Sequence, residues 1–361
     1  MEKGLYTFVL FWKGGYPVGM EETIYGRLLW HRLRICALLV LLTALALVAD
    51  LCTGSAGLTL EELLTAFMAG PSGSTVHTLI VWMLRLPMSL TCLFVGAALG
   101  IAGLEVQNLT HNALASPYTL GITASASFGA AVSIVFGISL AGYLWIGTVT
   151  LALLFALFAS AGIFLLGKRR GMGASTLVFA GIITNFFFSA LQQFLQYKAS
   201  PETAQVIASW NFGNLSRATW ISVVVTGVVT VLVTALLARW SWKLTILTLG
   251  EERARSLGIA TDQLRLYVFG LCALLIAVAV GFIGTIAFVG LVAPHCARIL
   301  LGDDQRFLLP MAGLSGSLLI LVSSVVCKLL SQGAMVPVGI LTSLVGVPFL
   351  AALLLRNRRF S

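Results

Sequence analysis

The sequence predicts an all-α polytopic membrane protein of about ten transmembrane helices, both termini cytoplasmic. Three observations carry that reading. First, only 10% of the 361 residues are charged, 22 Lys and Arg against 13 Asp and Glu, while 59% are hydrophobic and mean hydropathy is +1.00. A soluble domain carries about 25% charge, and no helix with one polar face can be built throughout from this composition. The apolar content equally excludes a disordered chain. Second, ten apolar runs are long enough to be read as crossings of ~30 Å of hydrocarbon. Third, the cations fall on alternate sides of those runs.

The first run covers 35–52 and is rich in Leu, Ala and Val. Residues 1–34 before it read as a cytoplasmic segment. Their apolar stretch Leu5–Trp12 is broken by Lys13, Gly14, Gly15 and Pro17, which is not the pattern of a signal peptide. Met1 and Met20 both qualify as the native start. Outside the membrane, Leu58–Met68 (LTLEELLTAFM) has apolar residues at helical spacing. Thr59 is placed to cap it, with Glu61 and Glu62 in the first turn.

The second run, 88–107, carries Gly96, Gly100 and Gly103 on one face, a pattern that permits close helix packing. Glu105 lies near its inner end, with Gln107, Asn108 and Asn112 just beyond. Runs three to five cover 118–140, 143–167 and 176–197, and the fifth holds Asn185, Gln192, Gln193 and Gln196. Polar groups at this depth face a cavity, a partner or the nearby interface. Together they favour a path for a polar solute over an inert anchor.

Run six covers 220–240, and a cytoplasmic segment, 241–265, follows. Within it Leu249–Leu257 reads as a short helix with acids first (Glu251, Glu252) and bases later (Arg253, Arg255), ended by Gly258. A helix this short is marginal alone in water, so it docks either on this chain or on a cytoplasmic partner. Run seven is 266–284. Run eight, 286–301, is short and Gly-flanked, a half-span or re-entrant piece, and Gly281, Gly284 and Gly290 make a second small-residue face. Runs nine and ten cover 307–330 and 337–355, and 356–361 form a tail. Alternating ten-residue segments of the β-barrel type are absent from the sequence.

With the N-terminus inside, the 22 cations divide 18 inside to 4 outside. The four exceptions are Arg85, Lys198, Arg217 and Lys328. The net charge of +9 therefore reads as cytoplasmic-side anchoring and not as a nucleic-acid surface.

Gly162–Arg169 (GIFLLGKR) is one residue short of a phosphate loop, and Arg169 stands where Mg²⁺ needs a hydroxyl. The chain is expected to bind no ATP and no other cofactor of its own. Six cysteines at the spans, with no CxxC, read as small packing residues. Four scattered histidines, His31, His77, His111 and His295, give no metal or catalytic cluster, which argues against an integral membrane enzyme. A rival to the solute path is an ion-coupled secondary transporter with Glu105 as proton carrier, which would show an inverted repeat.

Three stretches resemble one family. They are RLPMSLTCLFVGAALGIAGLEVQNLTHNALASPYTLG at Arg85–Gly121, LGEERARSLG at Leu249–Gly258, and GTIAFVGLVAPHCARILLGDDQRFLLP at Gly284–Pro310 with PVGILTSLVGVPF at Pro337–Phe349. In order and spacing they are similar to the FecCD-type permease subunits of ABC importers for iron-siderophores, haem and cobalamin, the vitamin B12 permease among them. The resemblance covers about residues 53–356.

It implies a FecCD-type permease fold of ten helices in a bacterial cytoplasmic (inner) membrane. It also implies a second permease copy, identical or related, two cytoplasmic ATPase subunits that hold ATP and Mg²⁺, and an external solute-binding protein. Leu249, Gly250, Glu251, Glu252, Arg253, Arg255 and Gly258 would form the helix that couples to the ATPase. Arg85 and Lys328 would dock the binding protein, with Lys198 and Arg217 as further candidates. Asn112 and Leu114 match the family's inner gate, and Glu105, Gln107, Asn185 and Gln192 would lie on the path. The chain departs from the family pattern at Met88, Ala113 and Met335, which stand where Arg, Pro and Glu are usual. Glu105 stands where the family is apolar. The implied cargo is a ferric siderophore, with haem or cobalamin as alternatives.

Overall fold

A computed structural model describes residues 24–54, 57–73, 75–170, 173–331 and 336–356. Met335 and both candidate start residues lie outside the described residues. The chain divides into a unit ending at Leu38 and a unit from Leu39 onward. Every named element among the described residues is a helix or a helical turn.

The first helix, α1 (Ile24–Cys52), starts eleven residues before the first apolar run. Hydropathy marks where a helix enters lipid; helix propensity decides where it starts, and Ile24–Arg34 contains no proline. Residues 24–34 are thus helical and not a loose leader. A short helix, α2 (Leu60–Ala69), follows with the expected Thr59 cap. The Thr59 hydroxyl accepts from the Glu62 amide while the Thr59 amide donates to the Glu62 carboxylate at 2.8 Å. These bonds hold the Glu62 carboxyl below its usual range.

The second span, α3 (Val76–Thr110), begins twelve residues earlier than the apolar run indicated. Pro87 explains its irregular first third. Proline has no amide to donate, and the backbone widens to a π-turn over Ile80–Arg85, where the Leu86 amide reaches the Val81 carbonyl. At 35 residues the helix spans about 52 Å. It is therefore longer than the ~30 Å core, and its first turns project beyond it.

The remaining spans follow the apolar runs: α4 (Ile122–Phe136), α5 (Leu144–Arg170) and α6 (Ala174–Lys198). A helix outside the ten runs comes next, α7 (Pro201–Asn211). Ser200 caps it and Pro201 opens it, a combination written plainly in the sequence. Then come α8 (Trp220–Arg239), α9 (Ser241–Thr248), α10 (Glu251–Ser256) and α11 (Thr261–Ile283). The chain ends with α12 (Val289–Leu301), α13 (Gln305–Leu330) and α14 (Val338–Arg356). Among the described residues seven helices are long and apolar enough to cross a membrane, and α4, α12 and α14 are shorter apolar helices at the other three runs.

The centre of the bundle is α3. In its apolar window 78% of residues are buried, against 28% in α5 and 22% in α6, so α3 faces other helices of this chain while most of α5 and α6 does not. It packs on α13, α11, α12 and α8. Close contact is possible because of two glycine faces. A methyl group on Gly100 would overlap the Ala312 carbonyl of α13, and one on Gly103 would overlap the Gly290 backbone of α12. Of the second expected face, only Gly290 joins this contact; Gly284 closes against the Trp210 carbonyl instead. A second packing centre joins α4, α5 and α6 through Phe128, Phe155 and Phe188, whose ring centroids lie 5.1–6.2 Å apart. Gly162–Arg169 is a continuous part of α5, so its amides are engaged in helix bonds and cannot cradle a phosphate.

Candidate functional site

Inner and outer ends are assigned here by the Lys/Arg asymmetry. At the inner end, α10 stands between Gly250 (φ 115) and Gly258 (φ 79), backbone angles that suit glycine and break the helix from α9 and α11. Glu251 and Glu252 open it and Arg253 and Arg255 close it, as the helix dipole favours. Ala254 points inward, while Leu249, Glu252, Arg253 and Leu257 are exposed. Leu249 and Leu257 are 58% and 63% exposed, an apolar pair around a charged centre.

Glu251 is different. One carboxylate oxygen pairs with Arg255 at 2.6 Å and the other with Arg265 on α11 at 2.9 Å. The Arg265 side chain is 0% exposed. Its other terminal nitrogen lies 3.4 Å from Nε2 of His111. Guanidinium only donates, so a hydrogen bond here requires this nitrogen of His111 as its acceptor. Burial first, and the Arg265 cation second, hold the His111 imidazole below its ordinary 6.5, with Glu251 opposing. Of the expected partner-facing residues, Glu251 is thus engaged within this chain, and Arg255 is shared between Glu251, Thr261 and Asp262.

His111 ends α3 in a left-handed conformation (φ 47). The turn after it is braced internally: the Leu114 amide donates to Asn112 Oδ1 at 2.9 Å and the Ala115 amide to the Asn112 carbonyl at 3.0 Å. Asn112, Ala113 and Leu114 are exposed. Ala113 forms this turn without the family's proline.

Glu105 and Gln107 are placed otherwise than expected. They are 0% and 2% exposed and line neither of the large cavities described below. Glu105 accepts from Asn108 at 3.4 Å, and Arg298 of α12 donates to Gln107 at 3.1 Å and Asn108 at 3.4 Å. Arg298 also pairs with Asp303 at 2.9 Å. These groups hold α3 to α12. On α6, Asn185 is half-buried and Gln192 buried, and neither lines the cavities.

The outer cations divide into two pairs. Arg85 is 6% exposed and donates to the Leu51 and Cys52 carbonyls at 2.6 and 3.0 Å. The Lys328 ammonium lies 2.8 Å from the Asp50 carboxylate and donates to the Asp50 carbonyl at 2.8 Å, with side chains 7% and 0% exposed. Ser89 donates to the same carboxylate. Arg85 and Lys328 are therefore not surface cations: they cap the carbonyl end of α1, where positive charge is favoured. Asp50 went unremarked in the sequence, although an acid within LTALALVADLC was its signal. Lys198 and Arg217 are exposed. Met88 is half-buried within α3.

Three unwound stretches meet between these ends. Thr285 donates to the Asn211 carbonyl, the Asn214 amide to Ile283 at 2.8 Å, and the Gly339 amide to Phe212 at 3.0 Å. Together with α14 they line a groove of about 600 Å³ through Tyr118, Asn211, Thr285, Ser343 and Leu344. Among the described residues none that lines it is charged. A second cavity of about 480 Å³ lies by Trp145, Trp210 and Arg217. At 13 residues α12 rises only about 20 Å, less than the ~30 Å hydrocarbon core.

Comparison with known proteins gives consistent results. A family model described as the FecCD transport family matches residues 40–356. The molybdate import system permease of Haemophilus influenzae is 34% identical over 286 residues, 79% of this chain and 83% of that one. The iron-uptake system permease of Bacillus subtilis is 32% identical over 332 residues, 90% and 97% of the two chains. A solved inward-facing conformation described as of a metal-chelate type ABC transporter matches with TM-score 0.80 and 31% identity, over 90% of this chain and 99% of that one.

Proposed function

The chain belongs to the FecCD transport family, and from that premise we propose that it passes a large metal chelate inward across a bacterial cytoplasmic membrane. A ferric siderophore is the first candidate, with haem or cobalamin next. The relatives named for molybdate and for iron are almost equally similar, so identity does not rank the cargo. The groove favours a chelate. It is lined by neutral polar and apolar side chains, which suit a bulky solute whose metal charge is already shielded. A small naked dianion would need cationic donors there.

In this reading two copies of the permease, or this one and a related one, form the pore. Two cytoplasmic ATPase subunits bind and hydrolyse ATP with Mg²⁺, and an external binding protein delivers the solute. The observation that carries the proposal is α10. It is a six-residue helix set off by two glycines, with Leu249, Glu252, Arg253 and Leu257 exposed around it. ATP binding closes the ATPase pair and moves α10, and the permease halves rock between inward- and outward-open states. Partners that contact the two states differently supply the driving free energy. Binding-protein docking falls to Lys198 and Arg217, because Arg85 and Lys328 hold α1. The alternative proton carrier is disfavoured, since Glu105 is enclosed away from the groove.

The test is affinity purification of the tagged chain from native membranes. A co-purifying subunit with a phosphate loop supports the reading, and Glu252→Arg with Leu257→Asp should release that subunit while the permease stays monodisperse. Uptake of ferric siderophores, haemin and cyanocobalamin into cells with and without the chain then identifies the cargo. ATP-independent uptake by the chain alone would overturn the proposal.

A further inference from the structure

We propose that Glu251, Arg265 and His111 form a charged latch that makes the inner gate turn, residues 111–115, follow the movement of α10. The inference deepens the preceding reading, resting on α10 as the coupling element and Leu114 as a gate residue. Its basis is the geometry of one fully enclosed cation.

Arg265 is 0% exposed and Glu251 lies 2.9 Å from it. A buried cation that loses a carboxylate at this distance is disfavoured, because part of what offsets its desolvation goes with it. When α10 moves, the favourable course is for Arg265 and α11 to move with it. Glu251 divides its two oxygens between Arg255 on its own helix and Arg265 on the next, so the carboxylate joins two elements.

The second joint is His111. The other terminal nitrogen of Arg265 reaches it across 154 positions of sequence. His111 is the last point of α3 and the first of the turn, and the turn is too well braced to absorb the motion. Asn112 is bonded back to the Gln107 carbonyl at 3.2 Å and forward to Leu114 and Ala115. Displacement at His111 therefore reaches Leu114. The latch binds no solute and touches no nucleotide; its three residues position the gate.

Two measurements separate this inference from the functional reading. The first needs no partner. Amide hydrogen exchange is followed on the purified permease in nanodiscs, for the parent, Glu251→Gln, His111→Ala and Arg265→Lys. The latch predicts exchange about tenfold faster at residues 111–116 in all three variants, with α2 unchanged. Arg265→Lys keeps the charge beside Glu251 but lacks the second nitrogen, so a purely structural role would leave its turn as protected as the parent. Exchange within about twofold of the parent in Glu251→Gln and Arg265→Lys overturns the latch, whatever the ATPase does.

The second measurement uses the complex with its co-purified ATPase. Leu114→Cys is labelled with a maleimide, with and without trapped nucleotide. Parent labelling changes several-fold between the two states. In Glu251→Gln complexes that still hydrolyse ATP, that change is lost. Retention of the full change in Glu251→Gln refutes the latch and leaves the permease reading standing. Lack of a co-purifying ATPase refutes that reading, and hydrogen exchange alone then decides whether the latch exists.

Discussion

Replacing Lys328 by Met tests the assignment of the outer cations most directly. The substitution removes the ammonium 2.8 Å from Asp50, whose side chain is 0% exposed, together with its bond to the Asp50 carbonyl at 2.8 Å. Breaking one side of a buried ion pair costs about 3–5 kcal/mol, because the remaining charge is left uncompensated. Asp50→Asn alone strands Lys328 instead and costs an amount at the lower end of that range. The double variant leaves no buried charge, and the amide oxygen introduced by Asp50→Asn still accepts from Ser89. It loses roughly one net hydrogen bond, about 1 kcal/mol. The single costs sum to about 6 kcal/mol or more, so the coupling free energy of the cycle should be about 5 kcal/mol, above the 0.5–3 kcal/mol of ordinary contacting pairs. Equilibrium unfolding in mixed micelles, read through the eight tryptophans, measures all four proteins. If the single costs add to the double within about 0.5 kcal/mol, the pair is uncoupled. Lys328 would then be a surface cation after all.

Two further outcomes follow from the packing and from the inner site. Gly103→Val overlaps the Gly290 backbone and should abolish monodisperse protein on size exclusion, whereas Gly162→Ala, with nothing within 4 Å of the added methyl, should be tolerated or stabilising by roughly 0.5–1 kcal/mol. His111 has its native pKa held below 6.5, mainly by burial and by Arg265 with Glu251 opposing. Its neutral form is the one the fold favours, so stability is fully present above pH 6.5 and declines as pH falls through 6.5 toward the lower native value. Melting midpoints between pH 7.5 and 5.5 should fall more for the parent than for His111→Gln, and parallel curves would show that the imidazole carries no such linkage.

Much of the fold is legible in the sequence because lipid imposes a one-dimensional rule. A crossing needs an apolar run of set length, and all ten runs hold a helix. The Thr59 cap and the glycines around α10 are equally local and are read directly. Helix ends are less legible. The first residues of α1 and α3 lie well before their apolar runs, since a helix continues through charged residues until something breaks it. The signal for α7, Ser200-Pro201-Glu202, is a local cap that lies outside every apolar run.

The candidate site divides in the same way. Leu249–Gly258 stands out by its local pattern of glycines and ordered charges, and the sequence alone determined that segment, the membrane class and the span order. Tertiary structure decided the role of each charge. Arg85 and Lys198 carry the same sign on the same side in the sequence, yet one caps α1 and the other is exposed. Lys328 finds Asp50 across 278 positions, and Arg298 finds Gln107 across 191. Hydropathy and charge bias are sums over neighbours in the chain. The energy of a buried charge depends on what stands within about 4 Å of it, and only the packed helices supply that neighbour.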